Sequence, residues 1–169
     1  MRKTIRLALL LSVLAVSASG LLLQAASGTA ADGNRFEARF TESTASVTNR
    51  IGDLGVFQLI NTGVGDVEGF GAATMVVVVG QDRSVEPCGP GSWTNAGTRR
   101  IVLDVGVLVL RSVAYVCQTA SGPVATETWT VDGPSSTGIF AGAKGSGEGT
   151  VQIATSTSTL SGKLKLAGS

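Results

Sequence analysis

The chain has 169 residues, with 13 Lys and Arg against 12 Asp and Glu, no His, 2 Cys, 4 Pro and 23 Gly. That is room for one domain of ordinary size. The absence of His excludes the imidazole base of Ser-His-Asp and Cys-His sites and every His-ligated zinc or haem site. A formal charge of +1 leaves no electrostatic footprint for nucleic acid, so no nucleic-acid partner is expected.

At the start of the chain, Arg2, Lys3 and Arg6 precede an uncharged run over 7–31, most apolar at 7–16 and 21–23. A basic head, an apolar centre and a small-residue exit make a secretory signal. Cleavage fits after Ala25-Ala26-Ser27 and equally after Thr29-Ala30-Ala31. The reading is a signal peptide over 1–31, cut near 27–31, followed by a single domain over 32–169 that is secreted and leaves no membrane attachment. The alternative is an uncleaved anchor, since a run of this length spans a bilayer. Ser12, Ser17, Ser19, Gly20 and Gln24 dilute it, and no Cys near the exit suggests a lipid anchor.

After Ala31 no helical periodicity stands out. Short segments rich in Val, Thr and Ile alternate with period two and are punctuated by Gly and Pro, an all-β pattern. Phe36, Ala38 and Phe40 share one face of a first strand, with Arg35, Glu37, Arg39 and Thr41 on the other. Further strands are expected over 56–60, 67–80, 99–103, 106–118, 124–131, 147–154 and 160–166, with a bulge or bend at Gly69 and Gly71. Two runs, 75–79 and 105–110, are apolar on both faces and so are expected to be covered on both sides, by a second sheet or by a neighbouring subunit. An outer-membrane barrel would need aromatic girdles, and the chain has only two Trp, one Tyr and five Phe.

The stretch 81–98 reads as a long Gly- and Pro-rich loop carrying Cys88 and Trp93. Cys88 and Cys117 allow a single intramolecular pairing, which an exported compartment permits. Closing that loop stabilises by about 3–4 kcal/mol in the chain-entropy account. A reactive thiol has no support, because neither a CxxC pair nor an adjacent Lys is present to activate it.

The most distinctive segment runs over 130–151. Its core, Ser136-Thr137-Gly138-Ile139-Phe140-Ala141-Gly142-Ala143-Lys144-Gly145, resembles the glycine-punctuated turn of plant allene oxide cyclases and dirigent proteins. Physically, Gly138 and Gly145 can take positive φ, Phe140 can plug a barrel end, and Ala141, Gly142 and Ala143 let backbones approach. The resemblance covers about 20 residues sharply, and no catalytic residue of that family maps onto a position here. It implies a closed antiparallel eight-stranded barrel, assembled as a homo-oligomer through its outer surface.

Four residues have ligand-binding potential. Glu127 shares the more apolar face of its strand with Ala125, Trp129 and Val131; with that face turned into the lumen, burial would raise its pKa and suit it to acid or base work. Arg111 shares a face with Val109, Val113 and Tyr115. If that face turns inward, Arg111 and Glu127 could pair or hold an anionic or hydroxylated ligand together; the alternative leaves both side chains in solvent at strand edges, since charged residues are rarely fully buried. Trp93 and Tyr115 are the aromatic candidates, Trp93 the better placed for a ligand, with core packing as the other role of Tyr115 and the role of Trp129. No metal spacing and no GK[ST] phosphate loop occur, so no cofactor and no metal are expected. The first functional reading is a non-catalytic barrel holding a small apolar ligand. A cofactor-free isomerase or cyclase and an extracellular structural or adhesive module are the alternatives.

Overall fold

The computed structural model describes residues 35–48 and 56–168. The leader expected over 1–31 lies outside the described residues. Eight strands follow one another: β1 (Arg35–Thr48), β2 (Val56–Val67), β3 (Gly71–Asp82), β4 (Trp93–Leu103), β5 (Gly106–Thr119), β6 (Gly122–Val131), β7 (Lys144–Gln152) and β8 (Thr157–Lys165). Each pairs antiparallel with its neighbour, and β1 pairs with β8 from Arg35↔Lys163 to Thr41↔Thr157, closing the barrel. The expected fold is therefore the observed one.

Several boundaries differ from those read in the sequence. Val67 ends β2 rather than opening β3, because Gly69 and Gly71, at φ 78° and 86°, make a tight turn instead of a bulge. Trp93 is the first residue of β4 rather than part of a loop, so the excursion before it shortens to 83–92. Cys88 in that excursion pairs with Cys117 of β5 across 29 residues, their Cα atoms 5.6 Å apart.

Alternation along each strand decides what the barrel holds. Phe36, Ala38 and Phe40 point inward from β1, Met75, Val77 and Val79 from β3, Ile101 and Leu103 from β4, Leu108 and Leu110 from β5. Trp129 packs edge-on against Phe36, with ring centroids 5.3 Å apart. Its indole lies where β7 and β8 carry Gly147 and Gly162, and a Cβ at Gly147 would come within 2.4 Å of it. Glycine on the inner face here is a matter of room, because a Cβ at Gly147 would also stand 2.1 Å from the carbonyl oxygen of Ser161 across the ladder.

The end formed by the β2–β3, β4–β5 and β6–β7 connections is filled. Phe140 is fully buried there and packs against Phe70 at 5.3 Å. Its segment continues the β5 edge beyond the end of β6: Asp132, Thr137 and Ile139 donate backbone hydrogen bonds to the carbonyls of Val109, Val107 and Val105. Gly138 permits this approach with φ 63°, since a Cβ there would fall 2.1 Å from the carbonyl oxygen of Val105. Gly145 lies instead within β7, and the second positive φ of the turn belongs to Gly142 at 71°.

The doubly apolar runs divide accordingly. Val109, on the outer face of β5, is buried where the 132–139 segment bonds to it through Ser136. In 75–79 the outward Val76 remains 36% exposed and no second sheet covers it among the described residues. Truncating Phe140 to Ala is expected to cost about 3–5 kcal/mol, as large-to-small core changes of this size do. Urea unfolding would read it as a lower midpoint with an unchanged slope.

Candidate functional site

The opposite end of the barrel carries polar side chains on the same inward parity. Glu42 follows Phe40 on β1, Asn61 precedes Gly63 on β2, and Arg99 precedes Ile101 on β4, with Asn95 and Trp93 behind it. Ser112 and Ala114 come from β5, Ala125 and Glu127 from β6. Together with Leu59, Val77, Val79 and Val151 these residues line a cavity of about 180 Å³.

At the cavity's inner end Arg99 bridges two carboxylates. Its Nε and Nη2 donate to Oε2 of Glu127 at 3.2 and 3.1 Å, and its Nη1 donates to Oε1 of Glu42 at 3.1 Å. Nη1 also approaches Sδ of Met75 at 3.5 Å. Asn61 donates its amide to Oε2 of Glu42 at 3.2 Å. The three charged side chains are only 3–5% exposed. Removing one member of such a buried group leaves its partners uncompensated, at a cost of typically 3–5 kcal/mol.

Burial pushes the Glu127 carboxyl above its ordinary value; Arg99 opposes that shift and nearby Glu42 adds to it. Burial lowers the Arg99 guanidinium, but Glu127 and Glu42 together outweigh it and raise the group. Gly149 of β7 gives the Glu127 carboxylate its room, because a Cβ there would stand 2.6 Å from Oε1. That Oε1 lies 3.0 Å from Nη2 of Arg99 without a hydrogen bond from it, the guanidinium being aimed at Oε2, while the Ser112 hydroxyl adds a further pull that holds the Glu127 carboxyl down. Three further buried atoms of cavity-lining side chains also lack a partner: Oδ1 of Asn61, Oδ1 of Asn95 and Nε1 of Trp93. Buried polar atoms are paired in the large majority of cases, so orphans gathered around one cavity mark a place for solvent or a ligand.

The residues singled out from the sequence fare differently. Of the two orientations open to Glu127 the structure has the inward one, and Trp93 lines the cavity, though from a strand. Arg111 does not join them. Its face of β5 turns outward, its side chain is 69% exposed, and it pairs with Asp132 at 2.7 Å. Tyr115, four residues on, is likewise outside at 54% exposure and not in the core, because the inward residues of β5 are Leu108, Leu110, Ser112, Ala114 and Val116. Trp129 is core, as expected, with its Nε1 donating to the carbonyl of Glu148 at 3.0 Å.

Arg99 and Glu42 were not anticipated. Extending the Phe36-Ala38-Phe40 alternation by one step reaches Glu42, and counting back from Leu103 and Ile101 reaches Arg99. Compared with family models, curated proteins and solved structures, the chain matches none.

Because the Glu127 pKa is raised on folding, the folded state favours its protonated form. Its contribution to stability is complete below the ordinary Glu range and is lost as pH rises through the raised value. The stability of the native chain relative to Glu127→Gln is therefore expected to fall from pH 4.5 upward, the ordinary Glu value. Paired urea titrations across pH read this directly.

Proposed function

We propose that the barrel binds a small molecule through its open mouth. The observation that carries this reading is the asymmetry of the interior, packed solid around Phe36, Trp129 and Phe140 but left with a cavity of about 180 Å³ at the other end. An apolar cavity of roughly 150 Å³ suffices for benzene. The walls of this one combine aliphatic surface from Leu59, Val77, Val79 and Val151 with a few convergent polar groups, the usual make-up of a ligand site. A ligand that is apolar throughout would leave those polar groups unpaired, so the occupant is amphipathic.

Holding a ligand fits better than turning one over. Glu127 has the shifted pKa of an acid or base, but two nitrogens of Arg99 tie down its Oε2. Phe140 at the closed end suits the resemblance to the allene oxide cyclase and dirigent barrels. The reading includes export, with which the Cys88–Cys117 pair is compatible. It also includes self-association through the outer wall of β2 to β5, supported by exposed Val64, Val76, Val102, Val113 and Tyr115.

Benzyl alcohol, a neutral probe of suitable size, is expected to bind saturably at one site per chain by calorimetry. Ala125→Leu, which pushes a larger side chain into the cavity, should weaken it at least tenfold while thermal unfolding verifies the fold. Failure of the native chain to take up the probe saturably would overturn the reading. Sedimentation velocity tests the self-association separately: an oligomer is expected, reduced to monomer by Val113→Lys, and a native monomer would refute it.

A further inference from the structure

We infer that the occupant of the mouth is a small organic cation, an alkylammonium or guanidinium group carried on an apolar body. The inference rests on the reading above and names the chemistry of the ligand.

The first ground is the charge balance. Arg99 supplies one positive charge against the carboxylates of Glu42 and Glu127, so the fully ionised group is one negative charge in excess. Among the described residues lining the cavity, no other side chain carries charge: β2, β3, β5, β7 and β8 contribute none, and β4 and β6 add only Arg99 and Glu127. A cation placed beside Glu127 supplies the missing charge in surroundings less polar than water, where the interaction is strengthened.

The second ground is the direction of the free valences. Four of the five N–H groups of Arg99 already have acceptors, Nε and one of Nη2 on Glu127 and the two of Nη1 on Glu42 and Sδ of Met75, so at most one is left to receive an anion. What remains without a hydrogen bond around the cavity is three acceptors against one donor: Oε1 of Glu127, a residue only 3% exposed, with Oδ1 of Asn61 and Oδ1 of Asn95, against Nε1 of Trp93. An ammonium has three donors and no acceptor, a guanidinium five.

The third ground is independent of the carboxylates. At the mouth the guanidinium of Arg83 lies 5.0 Å from the ring centroid of Trp93 and 5.5 Å from that of Phe57. Both distances are within reach of a cation–π attraction. The chain's own exposed cation thus already occupies the aromatic surface beside the cavity, and Trp93 belongs to both. Arg83 would compete with an entering cation for that surface. Binding would also draw the proton from Glu127, so affinity rises with pH through the range in which that group titrates.

The test is a charge series on one body: benzylammonium, benzyl alcohol and phenylacetate, titrated into the full chain at pH 7 by calorimetry. Benzylammonium is expected to bind at least tenfold tighter than the alcohol, with phenylacetate weaker than both. In Glu127→Gln the preference for the cation over the alcohol should shrink below about threefold. Arg83→Ala, at an exposed position that leaves the barrel interior untouched, should tighten benzylammonium and leave the alcohol unchanged. This variant keeps the inference testable if Glu127→Gln fails to fold. Benzyl alcohol binding as well as the ammonium, or phenylacetate binding best, would overturn the inference and leave the ligand-binding reading standing. No saturable binding by any of the three would overturn both.

Discussion

The β1–β8 ladder is the pairing on which everything else depends. Seven consecutive antiparallel pairings would give a sheet with two unpaired edges and one interior face open to solvent; the eighth removes the edges and turns that face into an enclosed volume. Only then does alternation along a strand acquire a fixed meaning, inward or outward. A guanidinium flanked by two carboxylates at 3–5% exposure cannot be held on an open sheet. The barrel supplies strands from three places on its circumference, β1, β4 and β6, that converge on one point.

The interior divides along its axis because side-chain volume is distributed unevenly. Toward the end that carries Phe70 and Phe140, aromatic and long aliphatic side chains fill the room left by Ala38, Ala73, Gly147 and Gly162, and the barrel is full. Toward the other, Ala114 and Ala125 stand where larger residues would close the space, while Asn61, Asn95 and Ser112 bring polar atoms. The lower half is bound by apolar burial, which is insensitive to direction. The upper half relies on groups whose value depends on angle and distance, as the bond from Arg99 to Oε2 of Glu127 and its absence at Oε1 illustrate.

Sequence alternation made the barrel legible, and the glycine-punctuated turn the place of Phe140. It left the orientations of Glu127 and Arg111 open, because a two-residue period gives the two faces of a strand without saying which is inside. On β5 both faces are apolar, Val109, Val113 and Tyr115 against Leu108, Leu110 and Val116, so hydrophobicity does not choose between them. The choice comes from the packing of Leu108 and Leu110 in the core, a long-range fact. Arg99 and Glu42 escaped for the converse reason: each sits at the polar continuation of a strongly apolar face, and a charged residue there reads as the strand leaving the core. Their reciprocal pairing becomes visible only when residues 57 apart in sequence meet.

The disulfide sits at the mouth and not at the packed end, bracing the 83–92 excursion against β5 a few residues from Trp93. A staple in that position does little for a core already held by aromatics. It limits how far the rim can wander, so the aperture keeps its outline as long as the Cys88–Cys117 bond is intact. Redox state thereby becomes a property of the doorway.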